Sequence, residues 1–250
     1  MEHISTNAII LRVRNIGSLD RMVTLLTPDH GRMVAVARSA RRSFKRFCGC
    51  LNLISEIDCD LSVRPGREIA GLEGASLVEP FEGIIRSYPK LATASAGAEL
   101  ADRISHGQEE AGAMYAETRS FLAALASGSG RGALTAYKLR VLAHTGFRPE
   151  LEHCVTCGRA ASVSSVRRNF DLHRGGLVCP RCLREEVAER SGRTPDWIMD
   201  ISHDTRTVML ELLNGPGYST PITEICSELV ARLVTERLGR ALTTRLSTRP

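Results

Sequence analysis

Four cysteines are the residues in this chain best suited to chemistry. They read Cys154-Val155-Thr156-Cys157-Gly158 and Cys179-Pro180-Arg181-Cys182, two C-x₂-C pairs separated by the 21 residues 158 to 178. Two residues between thiols make a tight turn that aims both sulfurs at one ion. Two such pairs make a tetrahedral four-thiolate site of the kind zinc prefers. Gly158 follows the first pair, where the turn needs a positive φ. Pro180 stiffens the second pair, and Gly175-Gly176 supplies a turn before it. The gap is slightly longer than the usual zinc-ribbon spacer of about 15–20 residues. Two disulfides or four unrelated core thiols are the other arrangements these residues allow, and the spacing favours metal. Four thiolates leave no position open to substrate, so one structural zinc per chain is expected, without catalysis. Arg159, Arg167, Arg168, Arg181 and Arg184 are near enough in sequence to offset the negative charge of such a site.

The second constellation is basic. Arg38-Ser-Ala-Arg41-Arg42-Ser-Phe44-Lys45-Arg46 holds five cations and no acid in nine residues. Residues 1–50 contain nine Arg or Lys against three Asp or Glu, a net of +6, while residues 51–100 contain four against eight, a net of −4. The positive charge is thus an N-terminal property. A run of this kind is either a solvated surface or a polyanion contact. The interleaved serines, with Phe44 and Phe47, suit phosphate hydrogen bonding and base stacking and favour the contact. Arg14, Arg21 and Arg32 are expected to extend the patch. Only Phe44 and Phe47 are aromatic within residues 1–80, so binding should lean on phosphates, read sequence weakly and fall with salt.

These groups must be positioned by elements that the periodicity outlines. Residues 6–14 read as a strand with Ile9, Leu11 and Val13 inward and Arg12 and Arg14 outward. Met22 to Thr27 is a second strand, Thr27-Pro-Asp-His-Gly31 a turn, and Arg32 to Ala37 its return. Cys48-Gly49-Cys50 reads as small residues at a strand start. Leu51 to Val63 alternates, with Leu51, Leu53, Ser55, Ile57, Cys59, Leu61 and Val63 on one face. Pro65-Gly66 turns the chain and Glu68 to Leu72 opens another strand. About five strands linked by hairpins in roughly 80 residues suggest a small closed barrel. From Phe81 the period becomes helical. Met114, Thr118, Phe121, Leu122 and Leu125 share one stripe, and Leu134, Tyr137 and Val141 another. Gly107 and Gly146 sit where helices stop, and Ser127 to Gly132 reads as a linker. Leu183 to Arg190 and Asp204 to Leu213 are further helices. Pro221 is expected to open a last one running to Leu242, with Thr248-Arg249-Pro250 a loose tail. The expected architecture is α+β and multidomain: a barrel at 1–80, then a helical domain at 81–250 carrying a zinc module at about 150–185.

At 43% hydrophobic and 24% charged, the 250 residues have an ordinary globular composition. No apolar run approaches the ~20 residues of a membrane span, and no signal-peptide pattern opens the chain, so a cytoplasmic protein with reduced thiols is expected. Enzyme signatures are missing: there is no G-x-x-x-x-G-K-[ST], G-x-S-x-G or H-E-x-x-H, and the deaminase pairing of H-x-E with P-C-x-x-C is not met. The expectation is a binding protein and not an enzyme.

Taken together, the motifs resemble the RecO family of bacterial recombination mediators. Asp20-Arg-Met-Val-Thr-Leu-Leu-Thr-Pro-Asp-His-Gly-Arg32, Val34-Ala-Val-Ala-Arg38 and the basic loop are similar to its barrel. Leu139-Arg-Val-Leu-Ala-His-Thr-Gly146-Phe-Arg-Pro149, with the two cysteine pairs, is similar to its helical domain and zinc module. Ser39 stands where relatives often carry glycine. The resemblance implies an OB-fold, binding to single- and double-stranded DNA, annealing of complementary strands, and help in loading recombinase onto single strands coated by single-stranded-DNA-binding protein. It implies RecR and the acidic tail of the coating protein as partners, RecA indirectly, and a nucleoid-associated place in the cytoplasm. A zinc-ribbon adaptor or RNA-binding barrel without annealing activity is the alternative; a metalloenzyme of another type would need an open coordination position.

Overall fold

The opening apolar run folds as β1 (Glu2–Ile16), in a computed structural model that describes residues 1–105, 108–130, 132–161, 167–189, 192–239 and 242. The expected Gly107 helix stop and the 248–250 tail lie outside the described residues. Strands β2 (Asp20–Thr27) and β3 (Gly31–Ala37) form the anticipated hairpin, whose turn is tied by the Thr27 hydroxyl donating to the Gly31 carbonyl at 3.0 Å. A short helix α1 (Phe44–Phe47) precedes β4 (Glu56–Val63) and β5 (Ile69–Glu79). β1 pairs antiparallel with β2 and with β4, β2 with β3, and β4 with β5. A parallel seam of only three pairs, Val34–Ile69 to Val36–Gly71, closes the barrel in the order β1-β2-β3-β5-β4. This is the OB-fold. Ala8, Ile10, Val23, Leu25, Ile57 and Leu61 fill its interior.

Two faces differ from the sequence pattern, each for a local reason. In β1 the interior residues are Ala8 and Ile10, then Val13, because a bulge between Ile10 and Arg12 shifts the phase. Ile9 and Leu11 are buried on the other side of the strand. The alternation expected over Leu51 to Val63 fails before Glu56. Ile54 has φ of +79° and is 1% exposed, whereas Leu53 is 36% exposed. Beyond that kink the expected phase holds, with Ile57, Cys59 and Leu61 in the core; Glu56 keeps the outer face but is buried there, beneath Tyr115 and Arg119. Cys48-Gly49-Cys50 is likewise no strand start. It is a turn after α1, with Cys50 in the barrel core and Cys48 exposed.

Helices α2 (Glu82–Ile85), α3 (Tyr88–Ile104) and α4 (Ala111–Ser127) belong with the barrel in one compact unit, Met1–Ser129. The predicted stripe Met114, Thr118, Phe121, Leu122, Leu125 is the buried face of α4. Glu56 anchors this helix. Its carboxylate accepts from the Tyr115 hydroxyl at 2.6 Å and from Arg119 Nε at 2.9 and 3.0 Å. A buried carboxylate is tolerated only when satisfied in this way. Burial first, then the bond to Glu56, raises the Tyr115 phenol above its usual pKa. Folding therefore favours the protonated phenol, and this contribution is complete below pH ~10 and lost as pH rises beyond it. Tyr115→Phe is expected to cost about 1–3 kcal/mol at neutral pH. In paired thermal melts the gap between parent and variant should narrow in alkali; a gap that is absent, or constant with pH, would refute the assignment.

The second unit, Gly130–Ala241, begins with α5 (Gly132–His144), ended by Gly146 where Phe147 N–H donates back to the Leu142 carbonyl at 2.7 Å. Strands β6 (Arg167–Asp171) and β7 (Gly176–Val178) form a hairpin, followed by α6 (Pro180–Glu189). β8 (Ile198–Ser202) pairs with β6, giving a three-stranded sheet of order β7-β6-β8 that the helical pattern of the sequence did not suggest. α7 (His203–Asn214) and α8 (Glu224–Leu238) complete the unit. α8 starts later than Pro221 because Thr223 is the cap, its hydroxyl accepting from Cys226 N–H at 3.2 Å, and it ends at Gly239, short of Leu242. Arg140 is 8% exposed and donates to the carbonyls of Leu212, Gly215 and Gly217 at 2.6–2.8 Å, so one guanidinium holds the end of α7 and the loop after it.

Candidate metal centre and nucleic-acid interface

The two cysteine pairs meet. The four Sγ atoms of Cys154, Cys157, Cys179 and Cys182 lie within 4.8 Å of one another, and Cys157 and Cys179 are 3.8 Å apart. A tetrahedron with metal–sulfur bonds of about 2.3 Å has sulfur–sulfur edges of about 3.8 Å. The donor set therefore fits a zinc-sized thiophilic ion. Local geometry explains how. The first pair sits on a turn closed by Gly158 N–H donating to Cys154 O at 2.9 Å, and Gly158 has the expected positive φ, +69°. Val155 N–H donates to Leu177 O at 2.8 Å, which ties that turn to β7. The second pair enters α6 through Pro180. Burial pushes the Cys154 thiol up, but the N–H groups of Cys179, Cys157 and Thr156 outweigh it and bring its pKa down to about 6. Those donors favour thiolate, the form a metal binds. The Cys179 thiol is lowered as well, while its bond to Cys182 holds the Cys182 proton and raises that thiol; outside the cluster, burial drives Cys59 and Cys226 up to about 12 and about 11.

Of the five arginines expected to offset the site's charge, Arg181 shows it: Glu185 first, then Cys182 and Cys157, hold its proton more tightly. Arg168 is buried in β6, and the Arg167 side chain lies outside the described residues. The residue that sequence reasoning missed is Arg174. It donates to the Thr156 hydroxyl at 2.8 Å and to Glu186 at 3.0 Å, joining the first turn to α6. No spacing rule marks an arginine that acts from a hairpin tip.

On the barrel, the basic run divides. Arg38 and Arg46 line a cleft of about 720 Å³ beside the β3–β5 seam, and Arg64 and Arg67 from the β4–β5 turn line it too. Arg38, Arg64 and Arg67 are exposed, with no side-chain partner among the described residues. Glu68 and Glu73 lie in the same cleft, and Glu73 accepts from Ser62 at 2.7 Å. Arg46 is partly structural: it donates to the Arg38 carbonyl at 2.6 Å and lies 5.0 Å over the Phe47 ring. Ser39 holds φ of +55°, the region a glycine enters freely, and its N–H donates to Asp20 at 2.8 Å.

The remaining candidates are spread. Arg41 is exposed and donates to the Ser18 carbonyl at 3.1 Å; Arg42, Lys45 and Arg14 are exposed and solvated. Arg32 is paired with Asp102 at 2.6 Å, a carboxylate that Arg12 shares at 3.7 Å, and Arg21 turns inward to the Leu51 carbonyl. Phe47 corrects an expectation: at 2% exposure it anchors the loop in the core and is shut off from any base. The Phe44 side chain lies outside the described residues. Arg64 and Arg67 were missed because they sit in the net-acidic block of the sequence. Their one signal is the Arg-Pro-Gly-Arg turn itself.

Comparison with known proteins agrees with both halves. Residues 1–81 match the family described as "Recombination protein O N terminal", and residues 86–245 match "Recombination protein O C terminal". The DNA repair protein RecO of Anaeromyxobacter sp. (strain Fw109-5) is 34% identical over 182 residues, 72% of this chain and 71% of its own. That of Myxococcus xanthus (strain DK1622) is 33% identical over 75% of this chain and 77% of its own, and that of Symbiobacterium thermophilum 29% identical over 92% and 87%. With both halves of the chain matched by family models in order and relatives above 30% identical, the chain belongs to the RecO family of DNA repair proteins.

Proposed function

We propose that this protein binds single- and double-stranded DNA through the barrel's basic cleft, anneals complementary strands, and helps load recombinase onto single strands coated by single-stranded-DNA-binding protein. The observation that carries the reading is the unpaired set Arg38, Arg64 and Arg67 around one cleft on an OB-fold. Arg41, Arg42, Lys45 and Arg46 flank it, and Arg14 adds charge from β1. Guanidinium groups that neutralise phosphates remove the repulsion between two strands. Contacts made to phosphates leave the bases free to pair. The four cysteines hold one zinc that stabilises the second unit and takes no part in the reaction. RecR and the acidic tail of the coating protein are the expected partners, RecA acts downstream, and the protein works in the cytoplasm at the nucleoid. Among the described residues no helix is long and apolar enough to cross a membrane.

The test is annealing of labelled complementary oligonucleotides by the full chain, bare and protein-coated, with RNA as competitor. Acceleration that RNA does not abolish is expected; an RNA-preferring protein without annealing would overturn the reading. Arg41→Ala with Arg42→Ala should weaken binding evenly across DNA sequences and flatten the plot of log affinity against log salt by roughly 0.7 per lost single-strand contact. An unchanged slope would leave these two residues as surface charge.

A further inference from the structure

Phe47 of the barrel's basic run is buried and closed to a base. A cluster of partly exposed rings lies on the unit of residues 130–241. His173, at the tip of the β6–β7 turn, stacks on Trp197 with centroids 4.5 Å apart and planes 17° from parallel. Arg237 of α8 donates to the His173 carbonyl at 3.2 Å, and its guanidinium lies 5.0 Å from the centre of the Phe147 ring. Gly175 leaves room for it: a Cβ there would stand 2.9 Å from Arg237 Nη2. Arg232, further back along α8, donates to the Asp196 carbonyl beside Trp197. Phe147 is 44% exposed and the His173 side chain 48% exposed. Glu236 stands 3.2 Å from His173 Nε2, and among the described residues Arg232 and Arg237 donate to carbonyls.

Two flat pairs joined by an arginine make a surface with π-faces for bases and cations for phosphates. We propose that Trp197, His173, Phe147 and Arg237 form a second single-strand contact, which takes unpaired bases by stacking where the barrel cleft takes phosphates. This rests on the DNA-binding reading of the barrel. Its ligand is a single-stranded nucleic acid, deoxyribose or ribose. A duplex hides its base faces and is excluded from this contact while remaining free to use the cleft. The metal centre has a part too, because His173 is carried on the hairpin between its two cysteine pairs.

Trp197 is the only tryptophan, so intrinsic emission reads the site directly. The full-length, metal-loaded protein is titrated with oligo(dT), oligo(U) and an abasic deoxyribose-phosphate strand of equal length. Oligo(dT), oligo(U) or both should alter Trp197 emission, and which of them does so names the sugar. The abasic strand should bind without altering it, and more weakly by on the order of tenfold for each stacked base lost. Phe147→Ala should weaken the responding oligonucleotide on the order of tenfold and leave the abasic strand unchanged. Trp197 emission unmoved at saturation by every strand, as at a site for a polypeptide, overturns the proposal. So does a response equal for the abasic strand and indifferent to Phe147→Ala. Failure of the barrel reading looks different: abasic binding would then survive Arg38→Ala, Arg64→Ala and Arg67→Ala together.

Discussion

Replacing Cys154 by serine is expected to release one metal ion per chain and to unfold much of the second unit, while the barrel unit keeps its own melting transition. Cys154 is buried and accepts from the Cys179 N–H at 3.3 Å, so it joins the two turns even before a metal does. A structural zinc site contributes an apparent ~10–16 kcal/mol at neutral pH. That is as large as the whole stability of a typical domain, about 5–15 kcal/mol. The hairpin it clamps is small: β7 has 3 residues and β6 has 5. Even with β8 paired to β6 the sheet is three short strands, so β7 and the two cysteine turns are expected to come loose without the clamp. Elemental analysis, thermal melts by circular dichroism and limited proteolysis check the outcome. Parent protein that lacks metal when purified under reducing conditions without chelator would end the assignment, as would a C154S variant that melts as the parent does.

The second large effect is expected from Arg38→Ala, Arg64→Ala and Arg67→Ala made together. Each is exposed, with no side-chain partner among the described residues, so folding should change little. If each meets one phosphate, the salt slope for single strands falls by about 2.1, from about 0.7 per contact. Extrapolated from ~1 M salt, where counterion release vanishes, this is a loss of about two decades in affinity at ~0.1 M. Annealing should fall in parallel, because the same charges bring both strands together. Fluorescence anisotropy over a salt series measures it. A slope unchanged within error would move the DNA path off the cleft.

How much of this was visible beforehand depended on the range of the interaction. The four-cysteine cluster was legible because each C-x₂-C turn is built from its own few residues, and Gly158 takes the positive φ such a turn needs. The β2–β3 hairpin and the buried stripe of α4 were legible for the same reason, as turn chemistry and a 3.6-residue period. The start of α8 was misread because Thr220, before Pro221, and Thr223, three residues on, compete as caps, and only the bond from Cys226 N–H to Thr223 chooses between them.

The sequence by itself determined the two cysteine pairs, the barrel's strand alternation and the concentration of cations at Arg38 to Arg46. These are properties of neighbouring residues, and local backbone geometry enforces them. The tertiary structure decided which charges act. Barrel closure at a three-pair seam brings Arg64 and Arg67, from an acidic stretch, beside Arg38, while Asp102 on α3 takes Arg32 out of the patch. Glu56 stays on the barrel's outer face, as strand alternation predicts, but α4 covers it there, and Tyr115 and Arg119 satisfy its carboxylate. The tertiary structure also set His173 against Trp197 and Arg237. Electrostatic and stacking energies depend on distance through space, and only closure of the chain on itself sets that distance for residues far apart in sequence.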